Sequence, residues 1–343
     1  MILAGDVGGT KIHLALYKFE NGKLRSVRDQ KYKAREFASL DIVIKKFLSE
    51  SAGVTEQIVA ACFGCPGPVR GGRLKLTNLP WTLDAYELSK ALDIEHLFLV
   101  NDLEANAYGI PELAPDKICT LHPADAASVG HRALISAGTG LGEALMMWDG
   151  HQHRPVPSEG GHCDFAPRND REIGLLQYLR HKFSGHVSYE RIVSGQGIQN
   201  IYGYLRDVEK MEEPQWLRDR MATQDPNAVI STCAEDGSSS ICFETMRTFS
   251  SAYGAEAGNL ALKVLAMGGI YLGGGIPPKI IKTLQNSFFI EAFLDKGRLS
   301  PLLQSIPVRV ILDDNCALLG AAACAEIRSS DISGHSERAA SLQ

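Results

Sequence analysis

The sequence predicts an α/β protein built as two domains, and three observations carry that prediction. Short apolar strands end in glycine clusters, helical patterns lie between them, and one strand–glycine turn–strand unit occurs twice. Strands alternating with helices build layered α/β folds. A length of 343 residues accommodates one large core or two medium ones. The 33 glycines sit largely in short clusters between apolar runs. That placement is the mark of tight turns at strand ends and not of a low-complexity chain.

The elements follow in order. Residues 2–6 read as a strand, Gly8-Gly9-Thr10 as a turn, and 11–17 as a second strand in which Ile12, Leu14 and Leu16 alternate with Lys11, His13 and Ala15. In 39–51, Leu40, Val43, Ile44, Phe47 and Leu48 fall on one helical face, with Ser39 placed as N-cap. Residues 58–63 read as a strand, 84–92 as a short helix, 96–100 as a strand ending at Asn101-Asp102, and 103–108 as a helix. The second half opens alike: strand 133–136, turn 138–142, strand 143–148. The two copies lie about 130 residues apart, a separation that suits duplicated domains and not a solenoid. Residues 170–265 read as mainly helical, with an exposed loop at 235–240. Strand 269–272 runs into Gly273-Gly274-Gly275, strand 308–312 follows, and 316–327 is an Ala-rich helix. The polar tail 329–343 lacks apolar periodicity and is expected to be disordered.

Composition narrows the function classes. A net charge of −5 is a poor match for nucleic acid, which favours a basic stripe. An anionic ligand would have to be held by local geometry against a mildly repulsive field. No apolar run approaches the roughly 20 residues that span a bilayer, and the first residues do not resemble a signal peptide. The eight scattered cysteines read as reduced cytosolic thiols. Cys62 and Cys65 form a CxxC, but no second ligand pair accompanies it and Pro66 follows at once, so two incidental strand-end thiols are the better account.

The chemistry sits at the turns. In Gly5-Asp6-Val7-Gly8-Gly9-Thr10-Lys11, small residues let backbone N–H groups approach phosphate oxygens. A Walker A or Rossmann loop would open a helix; here a strand follows, so neither applies. An ordinary hairpin turn is the bland alternative, but a carboxylate at a buried strand end is costly without a partner. The turn Gly138-Thr139-Gly140 repeats the design, and Gly273-Gly274-Gly275 would let a flat ring approach the backbone. Asp102 stands at a strand end, where a carboxylate can take a proton from a substrate hydroxyl; by itself it would be read as the N-cap of the next helix. Ser158-Glu159-Gly160-Gly161-His162 sets an acceptor and a donor/acceptor ring around a glycine pair, which suits sugar hydroxyls. A zinc site with His151, His153 and Cys163 matches no standard spacing. Glu190 alone would be read as a surface charge.

Taken in order, GDVGGT at 5–10, Asn101-Asp102, AGTGLG at 137–142, PSEGGHCDFAP at 157–167, VSYERIVSG at 187–195 and GGIYLGGGI at 268–276 resemble the bacterial glucokinase family. That family lies within the actin, Hsp70 and hexokinase superfamily. No single motif decides the matter, but six in the right order are specific, and they cover residues 2 to about 327. The resemblance implies a duplicated actin-like ATPase (ribonuclease H-like) fold around a central cleft. The expected division is 1–105 plus 316–328 as the smaller domain and 106–315 as the larger. It also implies ATP-dependent phosphorylation of glucose at the 6-hydroxyl. Asp6, Gly8, Gly9, Thr10 and Lys11 then match the first phosphate loop, with Asp6 near Mg²⁺. Gly138 and Thr139 match the second phosphate loop, and Gly273 and Gly274 the adenosine motif. Asn78, Asn101, Asp102, Glu159, His162 and Glu190 match the sugar-binding set, with Asp102 the catalytic base. A cytoplasmic homodimer is implied, with a hexose and no nucleic acid or membrane as partner. Three departures stand out: Lys11 where many relatives have Asn, a long polar stretch at 207–240, and the tail. The cysteine-rich zinc motif of the related repressor/kinase group is absent. Two rivals remain at this level: a kinase for another hexose, and an inactive sugar- or nucleotide-sensing regulator.

Overall fold

The first glycine turn folds as its alternation predicts. β1 (Ile2–Val7) and β2 (Lys11–Glu20) pair antiparallel, with Asp6 opposite His13 and Val7 opposite Ile12. Gly8 N–H donates to the Lys11 carbonyl at 2.9 Å and closes the turn. In this computed structural model the described residues are 1–51, 56–76, 79–124 and 129–340, with the side chains of 333–340 excepted. The chain divides into two units, Met1–Pro115 with Asp313–Gln343, and Asp116–Leu312.

In the first unit β3 (Lys23–Lys33) adds to β2 as an edge strand. The sequence reading passes over it because its residues are charged and exposed, as suits a sheet edge. β4 (Ala60–Cys65) runs parallel to β1. Two short strands, β5 (Arg73–Lys75) and β6 (Thr82–Asp84), form a separate ribbon. β7 (His96–Asn101) lies parallel to β4, giving the order β3-β2-β1-β4-β7. Gly5 is needed where β1 meets β4: a Cβ there would fall 2.5 Å from the Phe63 ring. One face of the sheet buries Leu3, Leu14 and Phe63 with Leu40, Val43, Ile44 and Phe47 of the helix Leu40–Ser49. Ser39 occupies the N-cap position, but its hydroxyl donates to Asp41 Oδ1 at 2.5 Å and makes no bond to the helix backbone, contrary to expectation.

The other face buries Ala4, Ala15, Cys62 and Val100 against the final helix, Cys316–Ala340. The backbone of this helix runs on through 329–340, into the stretch expected to be a disordered tail. It passes Arg328, whose Nη2 donates to the buried Glu104 Oε1 at 2.5 Å. That pair ties it to the helix Asp102–Gly109. The two compact units part after Pro115 and Leu312, near the expected positions 105 and 316. The two helices touch through their backbones, since a Cβ at Gly320 would fall 1.8 Å from the Ala105 carbonyl oxygen. Gly320→Val therefore destabilises the first unit by about 3 kcal/mol, because backbone cannot yield as a flexible side chain does. Thermal melts followed by circular dichroism check this; an unchanged melting curve would mean that the helices do not pack this closely.

The second unit repeats the plan. β9 (Arg132–Ala137) and β10 (Leu141–Trp148) form an antiparallel hairpin around Gly138–Gly140, and β11 (His153–Ser158) adds to β10. β12 (Gly269–Gly273) runs parallel to β9, and β13 (Val308–Ile311) parallel to β12. The order β11-β10-β9-β12-β13 matches that of the first sheet, strand for strand. β8 (Ile118–His122) pairs antiparallel with β13 and has no counterpart in the first sheet among the described residues. The helical region predicted at 170–265 holds the helices Asp170–Phe183, Gly195–Asp207, Gln215–Thr223, Pro226–Glu235 and Ser240–Val264. Tyr253 of the last of these is fully buried, and its hydroxyl donates to the Ile135 carbonyl at 3.0 Å, fixing helix to sheet. No helix among the described residues is long and apolar enough to cross a membrane.

Candidate active site

In the first unit the predicted residues gather at the carboxyl ends of the parallel strands β1, β4 and β7, where open α/β sheets carry function. Asp6 is the last residue but one of β1, and Gly8–Thr10 follow as the hairpin tip, with Gly8 and Gly9 half-buried and Thr10 exposed. Asp6, His13 and Lys31 are in register across three strands and so share a face of the sheet. Burial pushes the Asp6 carboxyl above the ordinary aspartate range, and the charges of His13 and Lys31 pull it partly back. Cys65 ends β4 fully buried, its thiol pushed up by desolvation and then by the carboxylates of Asp102 and Asp6. Both carboxylates therefore lie within electrostatic reach of one buried atom. Cys62, the other half of the CxxC, is buried against Cys324 of the final helix, and a raised thiol of this kind is unreactive.

The helix after β7 begins differently from the simplest reading of the sequence. Asn101, not Asp102, is its N-cap: Asn101 Oδ1 accepts from Leu103 N at 2.9 Å and from Glu104 N at 3.4 Å. Its Nδ2 donates to the Gly67 carbonyl at 3.2 Å and holds the loop after β4. Asp102 is the first helical residue, half-buried, with Oδ1 accepting from Leu103 N at 2.9 Å. A carboxylate at a helix N-terminus is stabilised in its charged form by the helix dipole. Gly64 lets this helix start approach β4, since a Cβ there would lie 2.9 Å from Ala105 Cβ and 3.7 Å from Asp102 Cα. Asn78 lies outside the described residues.

In the second unit two glycine segments meet. Gly274 has φ +86°, and a Cβ on it would fall 2.3 Å from the Ala137 carbonyl oxygen, just before Gly138. Ile276 N donates to that same carbonyl at 3.1 Å, and Gly195 N to the Gly138 carbonyl at 2.8 Å. Gly138, Thr139, Gly273 and Gly274 thus form one small-residue surface at the ends of β9 and β12, with Thr139 exposed.

The polar residues expected at the sugar gather around Leu141, the first residue of β10. Glu190 Oε2 accepts from Leu141 N at 3.0 Å, and a Cβ at Gly140 would lie only 2.4 Å from it. Glu190 is half-buried and ordered, not the loose surface charge that the sequence alone suggests. The turn Gly160–His162 packs over the same residue, since a Cβ at Gly161 would meet the Leu141 carbonyl oxygen at 2.0 Å. His162 N donates to the Glu159 carbonyl at 3.0 Å, while both side chains are exposed and available to a ligand. Glu159, His162 and Glu190 therefore adjoin the second glycine turn.

Two sheets of one strand order, each with a glycine turn in its first hairpin, define the class: a protein of the actin-like ATPase fold. The sequence model of the glucokinase family matches residues 3–328. A glucokinase of Trichormus variabilis is 43% identical over 338 residues, which cover 95% of this chain and 98% of that one. The chain belongs to the glucokinase family. A glucokinase structure from an Antarctic psychrotroph superposes with a TM-score of 0.83 at 31% identity, covering 95% of this chain and 98% of that one. A ROK family glucokinase from Streptomyces griseus, in complex with glucose and AMPPNP, shares the fold at a TM-score of 0.62 and 18% identity, covering 95% and 99%.

Proposed function

We propose that this chain transfers the γ-phosphoryl group of ATP to the 6-hydroxyl of glucose, with Asp102 as general base. The observation that carries the reading is the convergence of Asp6, Cys65, Asn101 and Asp102 at the ends of three parallel strands. With Asn101 acting as the cap, the start of the helix does not depend on Asp102 in that role. Family membership at 43% identity supports the substrates.

On this reading Asp102 accepts the proton of the 6-hydroxyl as the oxygen–phosphorus bond forms and the bond to the ADP oxygen breaks. Phosphoryl transfer demands mainly positioning and charge stabilisation. The N–H groups of Gly8 and Gly138 close their own turns, onto the Lys11 and Gly140 carbonyls at 2.9 Å each, so the remaining backbone N–H groups of Gly9–Lys11 and Thr139 are the ones left to meet phosphate, with Gly273-Gly274 at the adenosine. Asn101, Glu159, His162 and Glu190 orient the sugar. The Asn101 amide carries two hydrogens, and its bond to Gly67 uses one. Mg²⁺ is typically held by one or two carboxylates together with substrate phosphates, and not by a protein cage. The desolvated Asp6 carboxylate beside a glycine turn fits that pattern. Mg²⁺ would neutralise phosphate charge there. The same reading takes the enzyme as a cytoplasmic homodimer without nucleic-acid or membrane partners.

Sugar-dependent ADP release with Mg-ATP and a panel of hexoses tests the substrate. Release with glucose is expected. Preference for mannose, fructose or an amino sugar would overturn the substrate, and folded protein inactive with every sugar would overturn the kinase reading.

A further inference from the structure

Beneath the turn that carries Glu159 and His162 lies a polar cluster that the reaction does not use directly. Glu143 of β10 is 1% exposed, and Glu256 of the helix Ser240–Val264 is fully buried. Glu143 Oε1 has no donor among the described residues, and the acidic group beside it is Glu256. Two carboxyl groups can hydrogen-bond only if one of them keeps its proton.

The surroundings fix which oxygens are already used. Glu256 Oε1 accepts from Lys263 Nζ at 3.2 Å, and Oε2 from Asn259 Nδ2 at 2.8 Å. Asn259 Nδ2 also reaches the Tyr189 hydroxyl at 3.1 Å, and its Oδ1 accepts from Lys296 Nζ at 2.7 Å. The charged and titratable groups facing the pair are thus Lys263, Tyr189 and Tyr253, with Lys296, Arg168 and Asp295 in the next layer. Lys263 is the one cation in direct contact with Glu256 among the described residues, which leaves one carboxylate charge of two matched at first hand. Burial first, and the Glu256 charge second, push the Glu143 carboxyl up to about 7.

The cluster touches both sugar-side turns. A Cβ at Gly160 would fall 1.9 Å from Glu143 Oε2, so this carboxyl lies directly against the backbone between Glu159 and His162. Tyr189, joined to the same network, immediately precedes Glu190.

We propose that Glu143 and Glu256 share one proton, and that the pair is a positioning device holding Glu159, His162 and Glu190 for the sugar. This rests on the assignment of those three residues to glucose. Loss of the proton sets two buried negative charges against each other, and the glycine backbone resting on Glu143 gives way first. Glucose binding therefore weakens as pH rises through about 7, while nucleotide binding does not.

The test compares the wild-type protein with Glu143→Gln, which keeps the shape and permanently supplies a hydrogen. KM for glucose and for ATP is measured from pH 5.5 to 8.5, and the melting temperature from pH 4 to 8.5. In the wild type the glucose KM should rise by roughly three- to tenfold between pH 6.5 and 8.5, and in Glu143→Gln this component should vanish. Other groups near the sugar titrate in both proteins, so the difference isolates Glu143. The melting temperature gives a readout independent of turnover. A carboxyl with a raised folded pKa loses its stabilising effect as pH rises, so the wild type should fall behind Glu143→Gln between about pH 4.5 and 7. Equal pH dependence of the glucose KM in both proteins overturns the positioning role. Parallel melting profiles overturn the shared proton. A glucose-inactive wild type whose melting profile still diverges from that of Glu143→Gln overturns the kinase assignment, and the positioning role with it, but retains the shared proton.

Discussion

Asp102→Asn lowers glucose-dependent kcat by roughly 10²–10⁴-fold, the usual contribution of a positioned base. Glucose affinity changes little, because the amide oxygen can still accept from Leu103 N as the carboxylate does. The fold is also preserved, since Asn101 supplies the helix cap. Steady-state kinetics together with direct measurement of glucose binding separate these effects. A variant with near-normal kcat would remove Asp102 from the proton transfer. A variant that no longer binds glucose would make it a binding residue.

Gly274→Ala should act on the nucleotide and not on the sugar. Its φ of +86° is unfavourable for any residue with a side chain, and the new methyl would lie 2.3 Å from the Ala137 carbonyl oxygen and 2.9 Å from Ser136 Oγ. Relief of that clash moves the end of β12 away from the turn at Gly138, and a strain of about 1–3 kcal/mol is expected. The ATP KM should rise by roughly tenfold or more, with glucose binding in the absence of nucleotide unchanged. An unchanged ATP KM in a folded variant would separate Gly273-Gly274 from the nucleotide site.

The hairpins were legible because each carries its own signal. Alternation in Lys11–Glu20 and the glycines before it fix strand, turn and strand without tertiary help. The duplication was legible for the same reason, and the matching strand order bears it out. β3 and β11 were not read, since edge strands such as Lys23–Lys33 and His153–Ser158 carry mixed polar patterns. The tie that holds the last helix, Arg328 to Glu104, spans 224 residues and has no local signal in the sequence. The same distance problem hides the Glu143–Glu256 pair, whose members sit on β10 and on a helix far along the chain. One local signal pointed to it: Glu143 interrupts an otherwise apolar strand, Leu141–Trp148. The cap at Asn101 was ambiguous because Asn and Asp are equally good caps, and only the backbone geometry chooses between neighbours.

The identity of the product decides between phosphoryl transfer to the 6-hydroxyl and any other reaction. Wild-type protein is incubated with Mg-ATP and glucose, and the sugar phosphate is examined by phosphorus and carbon nuclear magnetic resonance. One phosphomonoester is expected, on the oxygen at carbon 6, formed in equal amount with ADP. A phosphate on any other carbon, or ADP appearing with inorganic phosphate alone, would contradict it.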